Sequence, residues 1–289
     1  TVTEYIDRLI ELGKEPQNVV VTFGDMLRVP GSRCSLSEAK AGGCRVKMVY
    51  SPMDILRLAE EDREHIYIFA AVGFETTAPV YAMLLKKALE KGIKNIRLLT
   101  SLKVMPPVIS WMCAGSADCG IDGFLAPGHV CVITGSKAFE GLAAQFGIPF
   151  VVAGFEGEQI LTAIAALVKL QGKGRVANFY PSAVTREGNL QARAAVAEYF
   201  EPADAAWRGM GIIPGSGMVL RKEYEAFDAG SRELTEDREK NSACCCAQVL
   251  TGKIKPSQCP LFGKVCTPQT PQGACMVSTE GSCFNSCDN

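Results

Sequence analysis

The chain has 289 residues, a net charge of −1, 47% hydrophobic residues and 21% charged residues. That balance describes a soluble globular chain long enough for two domains or three small ones. With no long basic run, nucleic-acid binding has no electrostatic support; no apolar stretch approaches the roughly 18 residues of a membrane span, and no basic-then-apolar leader opens the sequence.

The opening residues, TVTEYIDRLIELG, carry an amphipathic helical pattern. A first residue of Thr and no leader point to a trimmed piece, and to a cytoplasmic setting in which thiols stay reduced. Short apolar runs then alternate with helical stretches. The candidate strands are NVVVTF (18–23), RVKMVY (45–50), IYIFAAV (66–72), NIRLLT (95–100), DGFLAP (122–127) and PFVVAG (149–154). Their continuous apolar character fits parallel strands covered on both faces. Helical candidates lie between them: SPMDILRLAEE, ETTAPVYAMLLKKALEKG, PPVISWMCAG and GSKAFEGLAAQFG. Ser51-Pro52 reads as an N-cap followed by a first-turn proline, and Gly92 as a helix stop. The rhythm predicts an α/β fold of two small doubly wound parallel-sheet lobes, residues 1–91 and 92–180, with one six-stranded sheet as the alternative. Residues 181–289 are expected to form a helical linker, with a helix near 188–200, and then a cysteine-rich domain. A charged stretch, SRELTEDREKN (231–241), reads as a solvated helix or linker.

Eight of the thirteen cysteines fall between Cys244 and Cys287. The run is CCC at 244–246, then Cys259, Cys266, Cys275, Cys283 and Cys287, separated by turn-forming residues. Such a segment buries little aliphatic surface, so a metal centre or disulfides must hold it. Reduced thiols favour metal. The spacing matches neither a paired C-x2-C zinc ribbon nor the C-x2-C-x2-C run of bacterial ferredoxins. A [4Fe–4S] cluster remains possible because its ligands need only meet in space; zinc and a disulfide knot are the other readings.

Two further motifs follow apolar strands. GFETTAP (73–79) places Glu75, Thr76 and Thr77 between a strand end and a helix start, where α/β folds gather ligands. The plain reading is a cap and a first-turn acid. APGHV (126–130) carries His129, which suits proton transfer or metal binding, or a merely structural role. His65, within EEDREH, reads as solvated. Asp25 and Glu156 each sit just beyond a strand, in turns whose glycines need no functional explanation. No G-x-G-x-x-G, P-loop or G-x-S-x-G motif is present. Cys34, Cys44, Cys113, Cys119 and Cys131 read mostly as small apolar fillers.

Taken together, TFGDMLRVPGS, VYSPMDIL, AVGFETTAP, APGHV, VVAGFE, EGN, FEPADAAWRGMG, IPGSGMVLRKEY and CPLFGKVCTPQTPQGACMVSTEG resemble the HypD family of [NiFe]-hydrogenase maturation proteins across nearly the whole chain. The resemblance implies two similar α/β lobes plus a small iron–sulfur domain. It implies a scaffold that works with a HypC-type chaperone and a HypE-type cyanide donor to assemble an Fe(CN)2CO group, with a [4Fe–4S] cluster for electron or thiol redox work. Carried over, Cys259, Cys266 and Cys275 match the family's cluster region. A fourth ligand is expected from Cys246, with Cys244 and Cys283 in reserve, and Glu75, Thr76, Thr77 and His129 match motifs of the family's cleft. The family's Cys-Gly-x-His-type and Cys-Pro-x-Cys motifs lie outside this sequence, so the chain as it stands is expected to be incompetent in iron assembly. Gly157 stands where the family has Pro, and Cys246-Ala247-Gln248 where it has Cys-Gly-Glu.

Overall fold

A computed structural model of the chain describes residues 1–114, 120–234, 243–277 and 279–287. Among the described residues there are nine strands: β1 Asn18–Thr22, β2 Val46–Met48, β3 Ile66–Gly73, β4 Ile96–Lys103, β5 Phe124–Pro127, β6 Phe150–Ala153, β7 Val176–Asn178, β8 Phe200–Trp207 and β9 Gly211–Leu220. They form an α/β fold with a six-stranded mixed sheet, ordered β2-β1-β3-β4-β9-β8, and a three-stranded parallel sheet, β5-β6-β7. The chain divides into two compact units, one of residues 1–72, 83–101 and 201–289 and the other of 73–82 and 102–200.

All six expected strands exist, but their grouping differs from the expected pair of parallel lobes. β4 is bonded between β3 and β9, and the mixed sheet recruits β8 and β9 from a region read as linker. FEPADAAW and GIIPGSGMVL carry prolines and glycines, which mask a strand signal that pairing in the sheet supplies. In the first unit, β1 is buried along its whole length and pairs in parallel with both neighbours, Val20 facing Val46 on one side and Ile68 on the other. Helix Thr3–Lys14 closes one face of that sheet. Its Tyr5, Ile6, Leu9 and Ile10 lie on one stripe and are buried against Val20, Val46, Ile68 and Leu99. Tyr5 Oη donates to the Leu99 carbonyl at 2.8 Å. The helix ends at Glu15, which is extended because Pro16 follows it.

The expected caps are present in modified form. The α-helix begins at Asp54, after a tighter turn in which the Ser51 hydroxyl accepts from Met53 N–H and the Asp54 carboxylate accepts from Ser51 N–H. Gly92, at φ +65°, ends helix Ala78–Glu90, and Ile93 N–H reaches back to the Ala88 carbonyl. In the second unit, β6 lies between β5 and β7, and Phe150 stacks on Phe124 and Phe139 at 4.8 and 5.4 Å. His65 departs from its expected solvated state. It is half-buried, with Nδ1 2.8 Å from Asp62 Oδ2 and Nε2 2.6 Å from Arg45 Nη1. Cys119 and residues 235–241 of the charged stretch lie outside the described residues; Ser231–Glu233 forms a short 3-10 turn. Among the described residues, no helix is long and apolar enough to cross a membrane.

Candidate functional site

The tail folds around its sulfurs. Cys246, Cys259, Cys266, Cys275 and Cys283 are buried with Val249, Leu261 and Met276, and Cys244, Cys245 and Cys287 pack at the edge. Sulfur here takes the place that aliphatic side chains fill in an ordinary core. The segment CPLFGKVC makes this possible by folding back on itself. Gly263, at φ +67°, donates to the Cys266 carbonyl, and Cys266 N–H returns to the Leu261 carbonyl at 2.9 Å. That turn brings Cys259 and Cys266 into one cluster. Short helices Cys246–Leu250, Ala274–Val277 and Ser282–Cys287 supply the remaining thiols.

The contacts between these groups are specific. Cys275 Sγ lies 3.0 Å from Cys283 Sγ. Cys275 N–H donates to Cys246 Sγ at 3.4 Å, and Gln272 N–H donates to Cys266 Sγ at 3.3 Å. The Cys244 thiol is pushed up to about 11, chiefly by burial; the Cys246 backbone N–H pulls it down, and the Cys246, Cys259 and Cys266 thiols act upward. Burial raises the Cys283 thiol as well; the hydrogen bond with Cys275 pulls it down, and Cys246, Cys266 and Cys259 act upward. Both shifts favour the protonated thiol at neutral pH. The described cysteines are unbridged. Among the described residues, no three His, Cys, Asp or Glu side chains are gathered to hold a single metal ion. The donor set fits an iron–sulfur cluster: several buried soft sulfurs, with backbone N–H groups aimed at two of them.

Gly273 sets the closeness of this packing. A Cβ there would lie 2.7 Å from Cys244 Sγ and 2.9 Å from Cys246 Cβ. Gly273→Ala should therefore push both cysteines outward, costing about 1–3 kcal/mol of stability. Titration with a thiol reagent checks it: Cys244 and Cys246 should react faster in the variant than in the parent chain.

The second group of expected residues lies in the other unit. Glu75 is buried, and its Oε1 accepts from Met105 N–H at 2.8 Å. Its Oε2 has no hydrogen-bond partner. Burial raises the Glu75 carboxyl above the usual range, while the backbone N–H groups of Met105 and of Glu75 itself pull the other way. Cys131, fully buried two residues beyond His129, is pushed up to about 12, chiefly by burial, with Glu75 acting in the same direction. Thr77 Oγ1 donates to the Phe74 carbonyl at 3.0 Å and so shapes the turn. Gly73, at φ +140°, leaves room for that hydroxyl, which a Cβ would overlap. Thr76 is half-buried in the same turn.

His129 is exposed and lies against the exposed Phe155 ring, with centroids 5.2 Å apart. Its neighbour Gly128 fits so tightly that a Cβ would sit 2.7 Å from the Ala153 carbonyl oxygen. The start of helix Gly128–Thr134 thus lies close against the last residue of β6. Asp25 and Glu156 are exposed; Asp25 accepts Met26 N–H at 2.8 Å, and Glu156 precedes helix Gly157–Leu170 without a side-chain cap. Sequence reasoning missed Cys131 as a partner of Glu75, since a cysteine inside an apolar helix reads as filler. It also missed Arg208, which is buried with Nη2 unpartnered at the end of β8. Its signal was the tight WRG turn within a region read as linker.

Comparison with known proteins bears on both groups. The family model HypD, described as "Hydrogenase formation hypA family", matches residues 1–288. The chain belongs to the HypD family. It is 42% identical over 283 residues to the hydrogenase maturation factor HypD of Escherichia coli K12, covering 96% of this chain and 76% of that protein. It is 42% identical over 289 residues to the HypD of Rhizobium leguminosarum bv. viciae, covering 96% and 75%. The HypD of Azotobacter vinelandii is 39% identical over 288 residues, covering 96% and 76%. The family resemblance read from motifs such as GFETTAP and CPLFGKVCTP is thus met across nearly the whole chain.

Proposed function

We propose that this HypD-family chain is a hydrogenase maturation factor. In this reading it acts in the cytoplasm as a scaffold, with a HypC-type chaperone and a HypE-type cyanide donor, on which the Fe(CN)2CO group is assembled. The single observation that carries the metal half is the buried nest of thiols around Cys275. Cys259, Cys266 and Cys275 would hold a [4Fe–4S] cluster, with the fourth position taken by Cys246 or Cys283, both of which adjoin Cys275. When bound, the cluster supplies one-electron redox chemistry. The chain's own contribution is to exclude water from the sulfurs and to aim Gln272 and Cys275 N–H groups at them, which favours the thiolate form. Single alanine variants assign the fourth position: of Cys246→Ala and Cys283→Ala, one loses iron and the other keeps it.

The iron being assembled is the cargo. Glu75, Thr76, Thr77 and His129 line the loops after two strands, and in this reading they orient its small ligands or move protons. His129 is exposed, so His129→Ala should change stability by less than about 0.5 kcal/mol. In the full-length protein the same change should abolish hydrogenase maturation. Unimpaired maturation would remove His129 from the site.

A stand-alone iron–sulfur reductase acting on a disulfide or small molecule is the rival reading, supported by the same thiols. A turnover assay with an electron donor and no chaperone separates the two, because the scaffold reading expects no multiple turnover.

A further inference from the structure

Within the crowded tail, one pair of thiols is held in contact. Cys275 Sγ lies 3.0 Å from Cys283 Sγ, so a bond between them needs the sulfurs to close by about 1 Å. The main chain keeps them there. A Cβ on Gly281 would lie 2.1 Å from the Cys275 carbonyl oxygen and 3.0 Å from Cys275 Cα, an approach that only glycine permits. Helix Ser282–Cys287 starts directly after that glycine, and Asn285 N–H closes its first turn on the Gly281 carbonyl at 3.0 Å. Cys283 lies on that turn, and Cys275 on helix Ala274–Val277. Backbone packing, not a loose loop, therefore sets the distance between the two sulfurs. The described cysteines are unbridged, so the pair is in its dithiol state. Cys275 and Cys283 are 4% and 5% exposed, in a cluster whose buried aliphatic members are few. A segment with so little apolar packing opens locally, and opening admits a small reagent.

We propose that Cys275 and Cys283 are a dithiol–disulfide couple that exchanges with low-molecular-weight disulfides, a modification site of the metal-free chain. Two exchanges complete the reaction. One cysteine thiolate attacks a small disulfide RS–SR, forming a mixed disulfide and releasing RS−, which takes up the proton that cysteine lost. The other cysteine attacks the protein sulfur of the mixed disulfide; the Cys275–Cys283 bond forms, and a second RSH leaves with the second proton. The two protein sulfurs lose two electrons, and the small disulfide gains them as two thiols.

The consequence for metal rests on the cluster reading. Iron takes thiolates, and a sulfur already bonded to sulfur is not one, so the oxidised pair withholds Cys275 from the nest, and Cys283 with it. Loading then requires the reduced pair, which ties cluster uptake to the thiol state of the surroundings.

The full chain, purified without metal and reduced, tests this after anaerobic equilibration with oxidised glutathione, alkylation, and digestion with trypsin and a protease that cuts after glutamate. Cleavage after Lys264 and Glu280 separates Cys275, in peptide 265–280, from Cys283, in peptide 281–289. A disulfide joining these peptides is expected, persisting in Cys266→Ser and Cys287→Ser and lost in Cys283→Ser, with two glutathione thiols released per link. The linked chain should take up about tenfold less iron than the reduced chain, and dithiothreitol should restore uptake. Glutathione held only as mixed disulfides, a link that survives Cys283→Ser, or equal iron uptake by linked and reduced chains would each overturn the proposal. A reduced chain that takes up no iron counts against the cluster reading, whereas the link itself is read by mass and is judged separately.

Discussion

Cys275→Ala is expected to remove the proposed iron–sulfur centre altogether: iron and acid-labile sulfide should fall to background after anaerobic reconstitution. Cys275 is the thiol at which the tail converges. Its Sγ meets Cys283 Sγ at 3.0 Å, and its N–H donates to Cys246 Sγ. The tail has few aliphatic side chains to fall back on, Val249, Leu261 and Met276 being the buried ones. Binding energy of the bound centre is therefore folding energy for this segment, which for structural zinc in small domains reaches about 10–16 kcal/mol. Loss of a ligand should unfold the segment as well as bleach it. Limited proteolysis after Lys253 or Lys264 should become rapid in the variant and stay slow in the loaded parent. Cys245→Ala, a half-buried position at the cluster's edge, treated in the same way, should keep its iron.

The second large effect lies in the other unit. Phe150 is 1% exposed and stacked between Phe124 and Phe139. Phe150→Ala removes the ring at the centre of the β5-β6-β7 layer, and a cost of about 3–5 kcal/mol is expected. Chemical denaturation followed by far-ultraviolet circular dichroism measures it. The visible absorbance of the reconstituted centre should be unchanged before the transition, because the thiols belong to the unit that Phe150 does not build. A bleached centre in the folded variant would contradict that independence.

How far these features were legible in the sequence follows from the kind of signal each carries. β1 and β3 announce themselves as uninterrupted apolar runs because both of their faces are buried. Helix Thr3–Lys14 is equally plain, since its apolar residues fall on one stripe. β8 and β9 were not legible: Pro202, Pro214, Gly215 and Gly217 interrupt their apolar pattern, and sheet pairing overrides that local preference. The position of β4 was hidden for a different reason. Nothing local to Ile96–Lys103 says that β9, more than a hundred residues later, will lie beside it.

The site divides in the same way. The crowding of cysteines after residue 243 is a compositional fact, and the structure gathers Cys246, Cys259, Cys266, Cys275 and Cys283 into one buried cluster. Spacing along the chain could not rank Cys246 above Cys283, because the turns at Gly263 and Gly273 decide which sulfurs meet. GFETTAP could be placed after a strand from its pattern. That Glu75 is buried with one oxygen unpartnered, beside a buried thiol far along the chain, depends on tertiary packing alone. Thr77 illustrates the opposite outcome, a motif hydroxyl engaged with the Phe74 carbonyl in its own turn.

The most direct test of the central claim is anaerobic iron and acid-labile sulfide analysis of the reconstituted chain, read with its visible spectrum. A brown protein with iron and sulfide in the proportions of one [4Fe–4S] cluster per chain, lost in Cys259→Ala, Cys266→Ala and Cys275→Ala, is the predicted result. Zinc in place of iron, or a colourless chain that takes up neither metal, would contradict the redox role and leave the thiol nest a structural core.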